Sequence, residues 1–167
     1  MADGLEFNLI GLESVLSVLD NLPGEYRRRG ARFAGRKAAN LIRNAAIQNV
    51  QQYNDPRTPE DIGKNIVVRF SNRRFKRTGD VAFRVGVLGG ARSPASPLEI
   101  RGAEANNPGG DTFYWRFLEF GTARTRARPF MFTALTKNVD AATSEFINQL
   151  DRWTERNLKR LQKMNSQ

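Results

Sequence analysis

Apolar residues recur along this chain with two different periods. In residues 8–22, NLIGLESVLSVLDNL, Leu12, Val15, Leu16 and Leu19 fall at helical spacing. Pro23 and Gly24 interrupt the pattern. A second helical stretch starts near Glu25 and runs to about Gln52, with Tyr26, Phe33, Ala34, Ala38, Leu41, Ile42 and Ala45 as its stripe. Arg27, Arg28, Arg29, Arg32, Arg36, Lys37 and Arg43 fill much of the rest. At 1.5 Å per residue this helix would be about 40 Å long. It would offer one apolar face to a sheet and a long basic flank to something else.

Residues 54–61, NDPRTPED, read as a loop because two prolines and several Asx or Thr residues favour turns. The period then changes to two. Ile66, Val68 and Phe70 alternate with Val67 and Arg69, and Val81, Phe83, Val85 and Val87 with Ala82, Arg84 and Gly86. Both runs predict strands. Between them FSNRRFKRTGD carries Arg73, Arg74, Lys76 and Arg77, and Thr78-Gly79-Asp80 predicts a turn, so a hairpin with a basic tip or arm near 69–80 is expected. Residues 89–111 are rich in Gly, Pro, Ser and Asn without periodicity, and predict a long loop. FYWRFLEF, 113–120, is apolar on both alternating faces and predicts a central strand. Gly121 and Thr122 end it, Arg124, Arg126 and Arg128 extend as alternating cations, and Pro129 suits the first position of a last helix. Phe130, Ala134, Leu135, Ala141, Phe146, Leu150, Trp153 and Leu158 carry that helix into the 150s, before a basic tail at 157–167 expected to fray. The order predicts a single α+β domain spanning 1–167, with a long N-terminal helix and a C-terminal helix on one face of a mostly antiparallel sheet.

Composition changes this picture by subtraction. Among 167 residues there is no Cys and no His. Disulfides, thiolate nucleophiles and Cys-ligated metals are excluded, along with the commonest general base and the usual serine-hydrolase triad. Carboxylate chemistry stays open, yet Asp55, Glu60, Asp61, Asp111 and Glu119 show no metal-loop spacing. Gly86, Gly89 and Gly90 form neither a dinucleotide fingerprint nor a P-loop. The expectation is a protein that is not an enzyme and takes no cofactor and no metal. The start of the chain has acids before a short apolar run, unlike a signal peptide, and no window is long enough to span a membrane. Synthesis in a cytosol and no membrane partner are expected.

The net charge of +10 points to an acidic partner. Its densest cluster, Arg69 to Arg77, interleaves Phe70 and Phe75, and three readings stay open. It grips single-stranded nucleic acid with cations on phosphates and rings on bases; it is a hairpin with packed Phe and solvated Arg; or it docks on an acidic neighbouring subunit. Most of the Phe residues and Trp115 are assigned to the core. Glu119, beside the basic segment, is expected to hold it by an ion pair.

The run from Phe113 to Leu135 is the most distinctive. Glu119-Phe120-Gly121-Thr122, a short basic linker, then Ala127-Arg128-Pro129-Phe130 and a helix with Ala134-Leu135 resemble the gene-product-ten family of the Hong Kong lambdoid phages, related to minor tail protein Z and the tail terminators. Gly11-Leu12-Glu13 followed by an Arg- and Ala-rich helix resembles the family's opening, whereas TPEDIGKNIVV departs from its usual Thr-Gly-x-Leu before the first strand. The resemblance implies a tail-terminator-like structural virion protein without catalysis. Such proteins form a ring, commonly a hexamer, at the head–tail junction, as a neck, tail-completion or terminator component. They join neck or connector proteins to the tail tube and let genomic DNA pass. A subunit or partner interface is expected at Glu119, Gly121, Thr122, Arg124, Arg126, Arg128, Pro129 and Phe130, with the basic arm of Arg69, Arg73, Arg74, Lys76 and Arg77 reaching neighbours. Most of the charge then reads as docking charge, with contact to channel DNA second. The alternative is a sequence-nonspecific nucleic-acid-binding protein.

Overall fold

Two long helices form the frame. The computed structural model describes residues 24–54, 57, 59–88 and 108–165. The helix expected at 8–22 and nearly all of the loop expected at 89–111 lie outside the described residues. Helix α1 (Gly24–Gln51) runs antiparallel to the last helix, which spans Phe130–Asn165. Tyr26 meets Trp153 at one end, with ring centroids 6.5 Å apart, and the Asn49 amide donates to the Phe130 carbonyl at 3.1 Å at the other. The buried line of α1 is Gly30, Ala34, Ala39, Ala46 and Val50, smaller residues than most of the expected stripe. Small residues let the two helices approach closely. A Cβ on Gly30 would lie 2.7 Å from the Trp153 ring.

Between these helices come α2 (Ile62–Asn65), β1 (Ile66–Phe70), α3 (Asn72–Thr78), β2 (Phe83–Val87) and α4 (Trp115–Phe120); the helix Phe130–Asn165 is α5. β1 and β2 pair antiparallel, from Ile66 opposite Val87 to Phe70 opposite Phe83. One sheet face packs on α1, where the Arg32 guanidinium lies 4.3 Å from the Phe70 ring centre and Gly35 backs onto Phe83. The α+β class and the helix packed on the sheet are as expected.

Two expectations are corrected. Residues 113–120 form no strand: Trp115–Phe120 is a helix, and the sheet of the described residues has two strands. An eight-residue apolar run carries no decisive period, and packing chose the helix. The basic segment after β1 is the helix α3, closed by Gly79 at φ 79°, whose N–H reaches the Phe75 carbonyl at 2.9 Å. Arg and Lys propagate helices readily, and a left-handed glycine stops them. Helix α5 itself runs on to Asn165.

The main core gathers Ala46, Val50, Ile62, Ile66, Phe130 and Ala134. Tyr114, Trp115 and Leu118 pack against it from α4 and the residue before it. A polar knot lies alongside. Asn65 is fully buried, and its amide donates to Gly110 O and to Thr112 Oγ1, each at 2.8 Å, while its Oδ1 accepts from Gly109 N at 2.8 Å. The far end of the 89–111 segment is thereby tied to the start of β1.

Candidate assembly interface

Helix α5 begins with backbone donors that its own turn cannot satisfy. Pro129 precedes it and brings no side-chain acceptor. The Glu119 carboxylate, eleven residues before Phe130, fills the role. Oε2 accepts from Phe130 N at 2.8 Å and Met131 N at 2.9 Å, and Oε1 accepts from Phe132 N at 2.8 Å. A buried negative charge thus sits on the positive end of a 36-residue helix. The expected ion pair between Glu119 and the basic linker is replaced by this clamp, because three aligned N–H groups hold both carboxylate oxygens at once.

The chain can turn back from Glu119 to α5 only through Gly121. Its φ of 74° and ψ of −178° belong to a region open essentially to glycine. A Cβ there would lie 2.8 Å from Ala127 N and 2.9 Å from Thr125 O. Gly121→Ala should therefore cost about 2 kcal/mol through backbone strain, read as a lower midpoint in urea unfolding; an unchanged midpoint would refute the assignment. The linker is folded back rather than extended. Thr122 Oγ1 accepts from Arg124 N at 3.2 Å and Thr125 N at 3.0 Å, and Arg128 N donates to Leu118 O at 2.8 Å. Thr122, Arg124, Arg126, Arg128 and Pro129 are exposed, with Arg128 5.5 Å from the Tyr53 ring centre. Phe130 is core, 1% exposed, so it supports this surface from behind. Burial, reinforced by the nearby Glu60 and Asp61 carboxylates, pushes the Tyr114 phenol above its usual range.

Around the clamp lies a surface that sequence reasoning assigned to the core. Phe113, Phe117 and Phe120 are 45%, 53% and 75% exposed, and Phe132 and Leu135 of α5 are 59% and 46% exposed. The first three stand at i, i+4 and i+7, a helical period that could have signalled one shared face. Phe113 and Phe117 already meet edge to face, with centroids 6.4 Å apart.

The basic cluster is elsewhere. Arg73, Arg74, Lys76 and Arg77 sit on α3, and Arg69 lies directly opposite Arg84 in the sheet register. Arg74 pairs with Asp80 at 3.3 Å. The Asp80 carboxyl is held below its usual range by hydrogen bonding to Thr78 and then to Arg74. Ser71, Arg73, Arg74, Arg77 and Arg84 line a shallow pocket of about 200 Å³. Phe70 and Phe75 pack on each other and under Arg32 rather than presenting free faces. This cluster rests against Arg32 in α1, while the linker rests against Tyr53, just past its end. At 1.5 Å per residue the two are about 30 Å apart. Among the described residues no group of acids could hold a metal ion, and no helix is long and apolar enough to cross a membrane.

A clamped aromatic surface, with basic clusters beside and beyond it, suits a part built to be joined to others, and residues 15–121 match the model of a family of bacteriophage tail components. The matched span covers well over half of the chain, from before α1 to the Gly121 turn. The chain belongs to this family, the HK97-gp10-like family. It is a structural component of a phage tail, located in the virion. No curated protein and no solved structure gives a match.

Proposed function

We propose that the protein is the subunit of a homo-oligomeric ring, a hexamer, at the head–tail junction, acting as a neck, tail-completion or terminator component. It joins connector proteins to the tail tube, lets DNA pass, and is made in the host bacterial cytoplasm. It performs no catalytic step and uses no cofactor. The observation that carries this reading is the exposed aromatic surface of Phe113, Phe117, Phe120 and Phe132 around the Glu119 clamp. Contiguous exposed apolar surface on a folded domain marks a place for a partner. Mass photometry of the purified protein and cryo-EM of virions test it: closed rings, or density for the chain at the neck, are expected. A strict monomer that is also missing from purified particles overturns it.

A second reading has its own observation. Arg69 and Arg84 are directly opposed across the sheet, a like-charge pair that repels unless an anion lies between. With Arg73 and Arg77 nearby, phosphates of nucleic acid would relieve that repulsion. If four phosphates are neutralised, affinity for DNA should fall about a hundredfold between 50 and 200 mM salt, measured by fluorescence anisotropy. A salt slope about halved in Arg69→Ala/Arg84→Ala would locate the contact here, and absence of DNA binding at physiological salt removes this reading.

A further inference from the structure

We propose that the aromatic surface receives residues 12–19 of a second copy of this chain, so that each copy hands its N-terminal segment to the next. The inference rests on the assembly reading above and says how the copies join. Three observations converge on this occupant.

The first is charge. Between Phe113 and Lys137 the chain has Arg116, Arg124, Arg126, Arg128 and Lys137, and its one carboxylate, Glu119, is buried in the clamp. The surface is apolar and the segment that carries it is rich in cations, while the Glu60 and Asp61 carboxylates lie near Tyr114. Residues 1–23 are the opposite: Asp3, Glu6, Glu13 and Asp20, with no Lys or Arg. The second is pattern. Leu12, Leu16 and Leu19 repeat at i, i+4 and i+7, with Val15 beside them and Glu13 and Asp20 along one flank. That apolar stripe with an acidic flank matches an apolar patch carried on a net-basic segment.

The third is reach, and it selects a second copy. The N-terminal segment joins α1 at Gly24, near Tyr26 and Trp153, while the aromatic surface lies at the opposite end of the helical pair, where Asn49 meets Phe130. From Tyr26 to Asn49 along α1 is about 35 Å at 1.5 Å per residue. A helical stripe starting twelve residues before Gly24 spans only about 18 Å. Taken as the helix that its apolar spacing predicts, it is too short to cover its own chain's patch. A neighbour's patch has no such constraint. Segment and patch are different surfaces, so the contact is head-to-tail and closes into a ring when the rotation allows.

The chain has no cysteine, so introduced thiols report single positions. Leu16→Cys and Phe120→Cys proteins, mixed in equal amounts under mild oxidation, should give the mixed dimer in clear excess over the two homodimers combined, which random pairing would only equal. The double variant should give a ladder of covalent multimers on a non-reducing denaturing gel. An internally bridged monomer, or mixed and self dimers in equal yield, overturns the proposal. In parallel, Leu16→Asp and Phe120→Asp should each raise the concentration needed for assembly about tenfold or more. Phe120 is exposed, so an unchanged circular dichroism spectrum is expected for that variant. Mixing the two variants restores one intact junction and should yield dimers. Covalent ladders without a closed species keep the docking and remove the ring. A wild-type ring indifferent to both Asp variants keeps the ring and removes the docking.

Discussion

Glu119→Ala should lower folding stability by about 3 kcal/mol, since three charge-assisted hydrogen bonds disappear and the donors are partly out of reach of water. The three N–H groups open a 36-residue helix, and the most deeply buried of them belongs to Phe130 in the main core. Glu119→Gln should recover only part of the loss. One of its two terminal atoms becomes an NH₂ that faces N–H donors, and the negative charge on the helix dipole is gone. Glu119→Asp should also fail, because a side chain one methylene shorter cannot reach both Phe130 N and Phe132 N. Urea unfolding with an unchanged slope is the measurement. A loss below about 0.5 kcal/mol in the Ala variant would mean that the clamp is not formed, since surface changes are of that size. The same variant should weaken assembly, because the clamp sets Phe132 beside α4.

The second large effect is expected at Asn65. Its side chain is fully buried and serves three partners at 2.8 Å, of which Gly109 and Thr112 are themselves buried. Asn65→Ala should cost about 3 kcal/mol, the sum of lost hydrogen bonds and a buried orphaned donor. Asn65→Asp keeps an acceptor for Gly109 N but faces the Gly110 carbonyl with a carboxylate, and should be at least as damaging. Hydrogen exchange should localise the effect: the amides of Gly109 and Asp61 should lose protection first, since Asp61 N donates to Gly109 O at 2.8 Å. Equal exchange rates in wild type and Asn65→Ala would refute the knot. Position 109 admits no side chain, because a Cβ on Gly109 would fall 1.9 Å from the Asp61 carbonyl oxygen.

Periodicity carried the long elements. The apolar recurrence from Tyr26 onward placed α1 within a residue or so of its ends, and alternation located β1 and most of β2. Failures came where a short run satisfied two templates. Phe113 to Phe120 fits a strand apolar on both faces, and it also fits two turns of helix with Phe113, Phe117 and Phe120 on one side. Residues 72–78 read as a basic hairpin tip because strands flank them, although Arg and Lys favour helix and Gly79 offers a left-handed stop. Glu119 was expected to act as a charge near other charges; its actual partners are backbone amides, which leave no trace in side-chain identity.

What the sequence determined by itself follows from repetition: two long helices, an antiparallel pair, and the exclusion of His and Cys chemistry. Summed over many residues, small preferences of that kind become decisive. The tertiary structure decided which Phe residues are core and which are surface, that Glu119 closes α5, and that the basic α3 and the 124–128 linker are separate places. Each depends on one group meeting another far away in sequence. Phe130 is buried and Phe132 exposed two residues apart on the same helix, because Val50, Ile62 and Ile66 lie against one side of it and nothing within the described residues covers the other.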